Sequence, residues 1–144
     1  KSLDTFLVLL YYFTSTKKRG DTMAWNLNSD RPIFIQIVER IEMDIISGKY
    51  KPGDKLPSVR DLAAEAAVNP NTMQKAFTEL ERTGLVFSQR TTGRFITEDT
   101  SMIDELKSTL AKDKITELLS FMQQLGFQEN EILAMIGQTM KGEK

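Results

Sequence analysis

The apolar patterning of the chain predicts a mainly α fold with one small β-hairpin, and three observations carry that prediction. Apolar residues recur every three to four positions in three successive segments after Arg31. Two segments of strand composition, joined by a short Gly-containing loop, follow Gly84. Helical periodicity then returns beyond Glu98. Three helices and a hairpin, with a tight break between helices two and three, are the parts of a winged helix-turn-helix. A short two-helix C-terminal region follows.

The first helix is expected from about Pro32 to Ser47. Ile33, Ile37, Ile41 and Ile45 fall every four residues, and Phe34, Val38 and Ile46 widen the stripe. Pro32 suits a first helical turn and Gly48 a stop. Lys51-Pro52-Gly53-Asp54 reads as a turn, and Leu56 is extended because it precedes a proline. Ser58 starts the second helix, with Asp61 completing a variant capping box in which the carboxylate reaches back. Val59, Leu62, Ala63 and Ala66 give that helix a small apolar face.

Val68-Asn69 is the break. Asn69 is a good N-cap and Pro70 a good first residue for a third helix that runs to about Thr83 and stops at Gly84. Met73, Ala76, Phe77 and Leu80 form its inward stripe, so Asn71, Thr72, Gln74, Lys75 and Thr78 point outwards. Strands are expected at 85–89 and 95–97, with Arg90-Thr91-Thr92-Gly93-Arg94 as the loop. The tail then reads as helices at about 101–125 and 128–140, broken at Gly126.

Composition removes whole classes of function. The 144 residues include no His and no Cys, which excludes disulfides, thiol nucleophiles, Ser-His-Asp chemistry and every Cys- or His-containing zinc site. Asp113 and Glu117 share a helix face but read most simply as solvated tail charges, so the chain is not expected to be an enzyme and no cofactor is expected. The apolar run Phe6 to Phe13 is far short of the roughly 20 residues that span a bilayer, and it precedes Lys17-Lys18-Arg19, the wrong order for a secretory signal. No membrane partner is expected, and the cytoplasm is the expected location. Met23 reads as a natural start, and residues 1–22 as a non-native or upstream extension.

A formal charge of −1 hides a gradient: residues 1–54 carry +1, 55–97 carry +2 and 98–144 carry −4. The acidic tail does not preclude a DNA-binding face, because charges beyond about 10 Å are largely screened at cellular salt. In a helix-turn-helix the second helix of the motif enters the major groove and its first turns reach base edges. Asn71 and Gln74 are of the type that pairs with adenine, Lys75 addresses guanine or phosphate, and Thr72 touches phosphate or a thymine methyl. Arg60 is placed to grip the flanking backbone, and Arg90 and Arg94 are expected at the hairpin tip, where a wing follows phosphates or enters the minor groove. Any one of these residues could be merely solvated; their concurrence on one edge favours DNA.

The stretch from Ile46 to Ala63, containing Gly48-Lys49-Tyr50-Lys51-Pro52-Gly53-Asp54-Lys55-Leu56-Pro57-Ser58-Val59-Arg60-Asp61-Leu62-Ala63, resembles the N-terminal domain of GntR-family bacterial transcription regulators. The run from Val68 to Val86 resembles the YtrA-type subfamily. The resemblance covers about residues 31–97. It implies DNA contacts at Arg60 of the LPSxR motif, at Asn71, Thr72, Gln74 and Lys75, with the capping residues Ser58 and Asn69 beside them, and at Arg90, Gly93 and Arg94 of the wing. The family wing usually reads Arg-Gly-x-Gly-x-Phe-Val, and here Thr91 replaces the first glycine.

The organisation expected is therefore residues 23–98 as the DNA-binding domain and 99–144 as a helical dimerisation region with room for a small-molecule effector. An isolated helical hairpin with apolar stripes gains by packing against its own copy. The function expected is a homodimeric regulator, a repressor, on a pseudo-palindromic operator in double-stranded DNA. The resemblance further implies control of ABC-transporter genes in response to a small molecule. The competing reading is a winged-helix protein-interaction module that does not bind DNA.

Overall fold

The computed structural model describes residues 25–142, so the expectation for residues 1–22 lies outside the described residues. Five helices and a two-stranded hairpin follow in the expected order: α1 (Ile33–Ile46), α2 (Val59–Ala66), α3 (Pro70–Arg82), β1 (Val86–Gln89), β2 (Gly93–Ile96), α4 (Thr100–Gln124) and α5 (Glu129–Met140). The chain divides after Ser108 into two units.

In the first unit, α1, α2 and α3 close on one core, and each contributes the stripe its periodicity calls for. Ile37 and Ile41 of α1, Leu62 of α2, and Met73, Ala76 and Phe77 of α3 are essentially removed from solvent. Val86 and Ile96, paired across the antiparallel hairpin, extend this core on to the sheet. Ile103 and Leu106, in the first turns of α4, pack against it as well. Burying a side chain of this size contributes roughly 1.5–3 kcal/mol, so the common interior holds the helix-turn-helix in shape.

The helix ends match their signals with one exception. Ser58 Oγ accepts from the Asp61 amide at 3.1 Å, but the return bond from Asp61 to the Ser58 amide is absent, so half of the expected box forms. Asn69 Oδ1 accepts from the Asn71 amide at 2.8 Å, and Pro70 takes the first position of α3. Between α2 and α3 the chain reverses at Ala67, which adopts a left-handed conformation (φ 56°, ψ 49°). Its amide and that of Val68 satisfy the last carbonyls of α2. Alanine carries a Cβ penalty there that glycine would not.

Two features need the tertiary structure to be seen. Residues 54–56 lie against β2 as a third extended segment: Ile96 N–H donates to Asp54 O at 2.8 Å and Leu56 N–H to Arg94 O at 2.9 Å. Residues 25–31 strap across α1 and α2. Trp25 is buried, donates Nε1–H to Glu65 at 3.2 Å and carries the Arg40 guanidinium 5.1 Å from its ring. Buried Gln36 donates to the carbonyls of Asn28 (2.7 Å) and Arg31 (3.0 Å) and accepts from the Asn28 amide (3.0 Å).

In the second unit most of the rest of α4 is exposed, Ile115, Leu118, Leu119 and Phe121 included, and so is Leu125 just beyond it, whereas Leu110 and Met122 are half-buried. Gly126 ends the turn with φ +93°, a conformation glycine adopts without penalty. Gln128 N–H then donates to Glu131 at the head of α5. Ile132 of α5 is buried, whereas Leu133, Met135 and Met140 are exposed. Among the described residues no helix is long and apolar enough to cross a membrane.

Candidate nucleic-acid interface

The first two turns of α3 divide cleanly. Met73, Ala76 and Phe77 face the core, while Asn71, Gln74 and Lys75 are exposed and Thr72 is half-buried. Asn69 caps the backbone N–H of Asn71, and the Asn71 side chain is exposed with no hydrogen-bond partner of its own among the described residues. Gln74 Nε2–H makes only a long bond, 3.4 Å, to Thr78 Oγ1, and that hydroxyl donates back to the Gln74 carbonyl. Lys75 lies with Nζ 4.1 Å from the ring centroid of Phe34 on α1. Leaving that ring forfeits about 0.5–1 kcal/mol, so Lys75 reaches a duplex less freely than its position on the helix suggests. Arg60, in the first turn of α2, is exposed and forms no ion pair among the described residues.

The hairpin corrects one placement. The turn takes only residues 90–92, closed by Thr92 N–H donating to Gln89 O, and Gly93 and Arg94 belong to β2. Gly93 pairs with Gln89 and Arg94 with Ser88. Side chains alternate along a strand, so Arg94 points to the same side as Ile96, towards α3. There its Nε bonds Glu81 Oε1, which also accepts from Ser88 Oγ at 2.7 Å, and its guanidinium lies 5.2 Å from the Phe77 ring. Burial pushes the Glu81 carboxyl up, but the bonds from Arg94 and Ser88 and the Arg94 charge outweigh it and hold the group below the usual glutamate range. Arg94 is thus a strut between wing and α3, not a tip residue. Arg90 keeps its expected place at the turn, exposed and without an ion pair among the described residues.

Gly93 has φ +119°, and Lys55 of the third extended segment crosses it so closely that a Cβ would meet Lys55 Cε at 2.8 Å. Lys55 is exposed and has no ion pair among the described residues. Sequence reasoning passed over this lysine, because its pairing with Phe95 across the sheet joins residues forty positions apart. Other cations near the site are engaged, Arg31 with Glu39, Arg40 and Lys49 with Asp44, and Arg82 with Glu79, while Lys51 in the neighbouring turn is exposed. The arginine forks of Arg82 and Glu79 hold the Glu79 carboxyl low and the Arg82 guanidinium high.

A polar, exposed helix end beside a hairpin whose turn carries free positive charge defines a winged helix-turn-helix DNA-binding unit, here continued by a helical tail. That construction is shared with known regulators. Residues 35–96 match the family described as bacterial regulatory proteins, gntR family. Over 105 residues the chain is 40% identical to the uncharacterized HTH-type transcriptional regulator YhcF of Bacillus subtilis, covering 73% of this chain and 87% of that one. It is 41% identical over 97 residues to the HTH-type transcriptional repressor YtrA of the same organism, covering 67% and 70%. The structure of a GntR family transcriptional regulator from Listeria monocytogenes aligns with a TM-score of 0.73 at 39% identity, over 78% of this chain and 98% of that one. The chain belongs to the GntR family, with YtrA-type regulators among its relatives. It is a transcription regulator with a DNA-binding helix-turn-helix and not an enzyme.

Proposed function

We propose that the protein is a homodimeric, sequence-specific repressor that acts in the cytoplasm on a pseudo-palindromic operator. The observation that carries this is the outer edge of α3, where Asn71 and Gln74 present amide groups that the fold itself scarcely uses. Such amides read adenine bidentately in the major groove. Around them, Arg60 and Arg90 take phosphates, the Asn69 and Ser58 caps offer further donors at helix ends, and Thr72 and Lys75 complete the contact set. Gly93 serves by shape and Arg94 by bracing the wing. Residues 23–98 form the DNA-binding domain and 99–144 the dimerisation region.

Dimerisation is supported by the apolar side chains that α4 and α5 leave in solvent, Leu118, Phe121 and Leu133 among them. Leu118 and Phe121, three residues apart, share one face of α4, and exposed apolar groups of this size suit an association surface. Two recognition helices would then meet half-sites about one helical turn, roughly 34 Å, apart or a multiple of that. The relative named a repressor supports the sign of regulation. Control of ABC-transporter genes through a small-molecule effector, bound between tail helices and shifting the dimer geometry, completes the proposal.

Selection of bound duplexes from a random pool at fixed salt tests it. A two-fold symmetric site is expected. Asn71→Ala and Gln74→Ala should each cost roughly 1–3 kcal/mol and relax base preference at one position; unchanged affinity and selectivity in both would refute the assignment. Light scattering of the full chain should show a dimer, and the double substitution Leu118→Glu, Phe121→Glu a monomer. A dimer that survives both changes would place the interface elsewhere.

A further inference from the structure

Arg94 is spent on Glu81 and Phe77, which leaves the β2 side of the wing without the cation its sequence promised. Lys55 stands in that place. The segment that carries it is bonded to β2 through Leu56 N–H to Arg94 O and Ile96 N–H to Asp54 O, so its backbone is held as firmly as a strand. Its stem crosses Gly93, where a Cβ would lie 2.8 Å from Lys55 Cε and 3.6 Å from Nζ. The end of the Lys55 side chain thus lies against the bare Cα of Gly93, which sets the ammonium group beside the first residue of β2, next to the turn at 90–92. The same short segment leads through Leu56-Pro57 to Ser58 and Arg60 at the head of α2. Lys55 thus lies five residues before Arg60 in the chain and pairs with Phe95 of β2, beyond the turn that carries Arg90; both arginines are exposed and have no ion pair among the described residues.

The geometry points to Lys55 as a further DNA-binding residue, a phosphate ligand on the third segment of the wing, seated by Gly93. This rests on the DNA-binding reading above. An ammonium on a flexible stem recognises a phosphodiester as a point charge and does not read bases, so its effect must be independent of sequence. The backbone that carries Lys55 is fixed against β2, which lowers the freedom lost on binding.

The test is salt-dependent binding of the full chain to a labelled 30-base-pair duplex of mixed sequence, and to a duplex taken from the random-pool selection. Lys55→Gln should weaken both by the same factor and reduce the log–log salt slope by about 0.9. The wild-type to variant affinity ratio should then shrink about 3.5-fold between 50 and 200 mM salt. Lys51→Gln removes an equal exposed charge from the neighbouring turn and should leave the slope unchanged; Lys55→Arg should restore it. A wild-type slope retained by Lys55→Gln, or an equal loss in Lys51→Gln, overturns the assignment while leaving the DNA reading intact. Absence of salt-dependent binding by the wild-type chain overturns both.

Discussion

Replacing Glu81 with alanine should separate the wing from the recognition helix, and the size of the effect follows from the contacts. Glu81 Oε1 accepts from Arg94 Nε and from Ser88 Oγ, so one carboxylate joins α3, β1 and β2. Hydrogen bonds to a charged group contribute about 1.5–3 kcal/mol when shielded. The Glu81 and Arg94 side chains are 31% and 25% exposed, and solvent screening brings the expected loss down to about 1–2 kcal/mol. Arg94 keeps its contact with Phe77, which caps the loss. Urea unfolding followed by fluorescence reads it directly, because Trp25 is the single tryptophan of the chain and is buried in the first unit.

The pH dependence supplies an independent check with a fixed sign. The Glu81 carboxyl is held below the ordinary value of 4.5 in the folded protein, so its contribution is complete above that value and is lost as pH falls through the depressed one. Wild type and Glu81→Ala should therefore differ in full at pH 7, almost as much at pH 5, and progressively less in stronger acid. In a double-mutant cycle with Arg94→Met, about 1 kcal/mol of coupling should appear. A Glu81→Ala penalty under 0.3 kcal/mol, or one that is the same at pH 7 and in strong acid, would refute the strut.

Three further outcomes are expected. Ala67→Gly relieves a left-handed alanine at an exposed turn and should raise stability by about 0.5–1 kcal/mol in the same urea assay, with DNA affinity unchanged. Gln36→Ala removes three hydrogen bonds that pin residues 28–31, and should cost roughly 1–3 kcal/mol while making Trp25 more accessible to acrylamide quenching. Burial first, then the charges of Glu39 and Glu79, push the Glu42 carboxyl up, so ionising it disfavours the fold. Glu42→Gln should add about 0.5 kcal/mol at pH 7, measured by unfolding, and the gain should vanish in acid where wild-type Glu42 is itself protonated.

What could be read from sequence was what local chemistry decides. Asn69, Pro70 and Gly84 bound α3, and the period of Met73, Ala76, Phe77 and Leu80 says which side is buried, so the outward placement of Asn71 and Gln74 follows without any tertiary knowledge. Arg94 was misplaced because Thr91, Thr92 and Gly93 all favour turns. The counter-signal was its spacing of two from Ile96, which puts both on the inner face of a strand. Lys55 over Gly93, Lys75 over Phe34 and the strap held by Gln36 had no local signature. Each joins residues that only the closed fold brings together. Ala67 escaped for another reason: alanine does not announce a left-handed turn, and the bonds of its own amide to Ala64 and of the Val68 amide to Ala63 accompany one.

The two arginines of the wing show how the fold allots its charges. Arg90 lies in the turn, outside the paired strands, where no carboxylate of α3 meets it and its charge stays available. Arg94, four residues on, falls on the inner face, and its charge is neutralised in holding the wing to α3. Bracing has a consequence for reading DNA, since a hairpin that swung freely would have to be ordered on every binding event at a cost in side-chain and loop entropy. With Glu81 fixing that hinge, cations at Arg90 and Lys55 keep a constant offset from the base-reading amides of α3. Removing the strut should therefore weaken binding even though Glu81 carries the wrong sign for contact with DNA. Direct electrostatics predicts the reverse, a gain in affinity when a carboxylate near the duplex is deleted. The direction of the Glu81→Ala effect on affinity thus distinguishes a positioning role from charge alone.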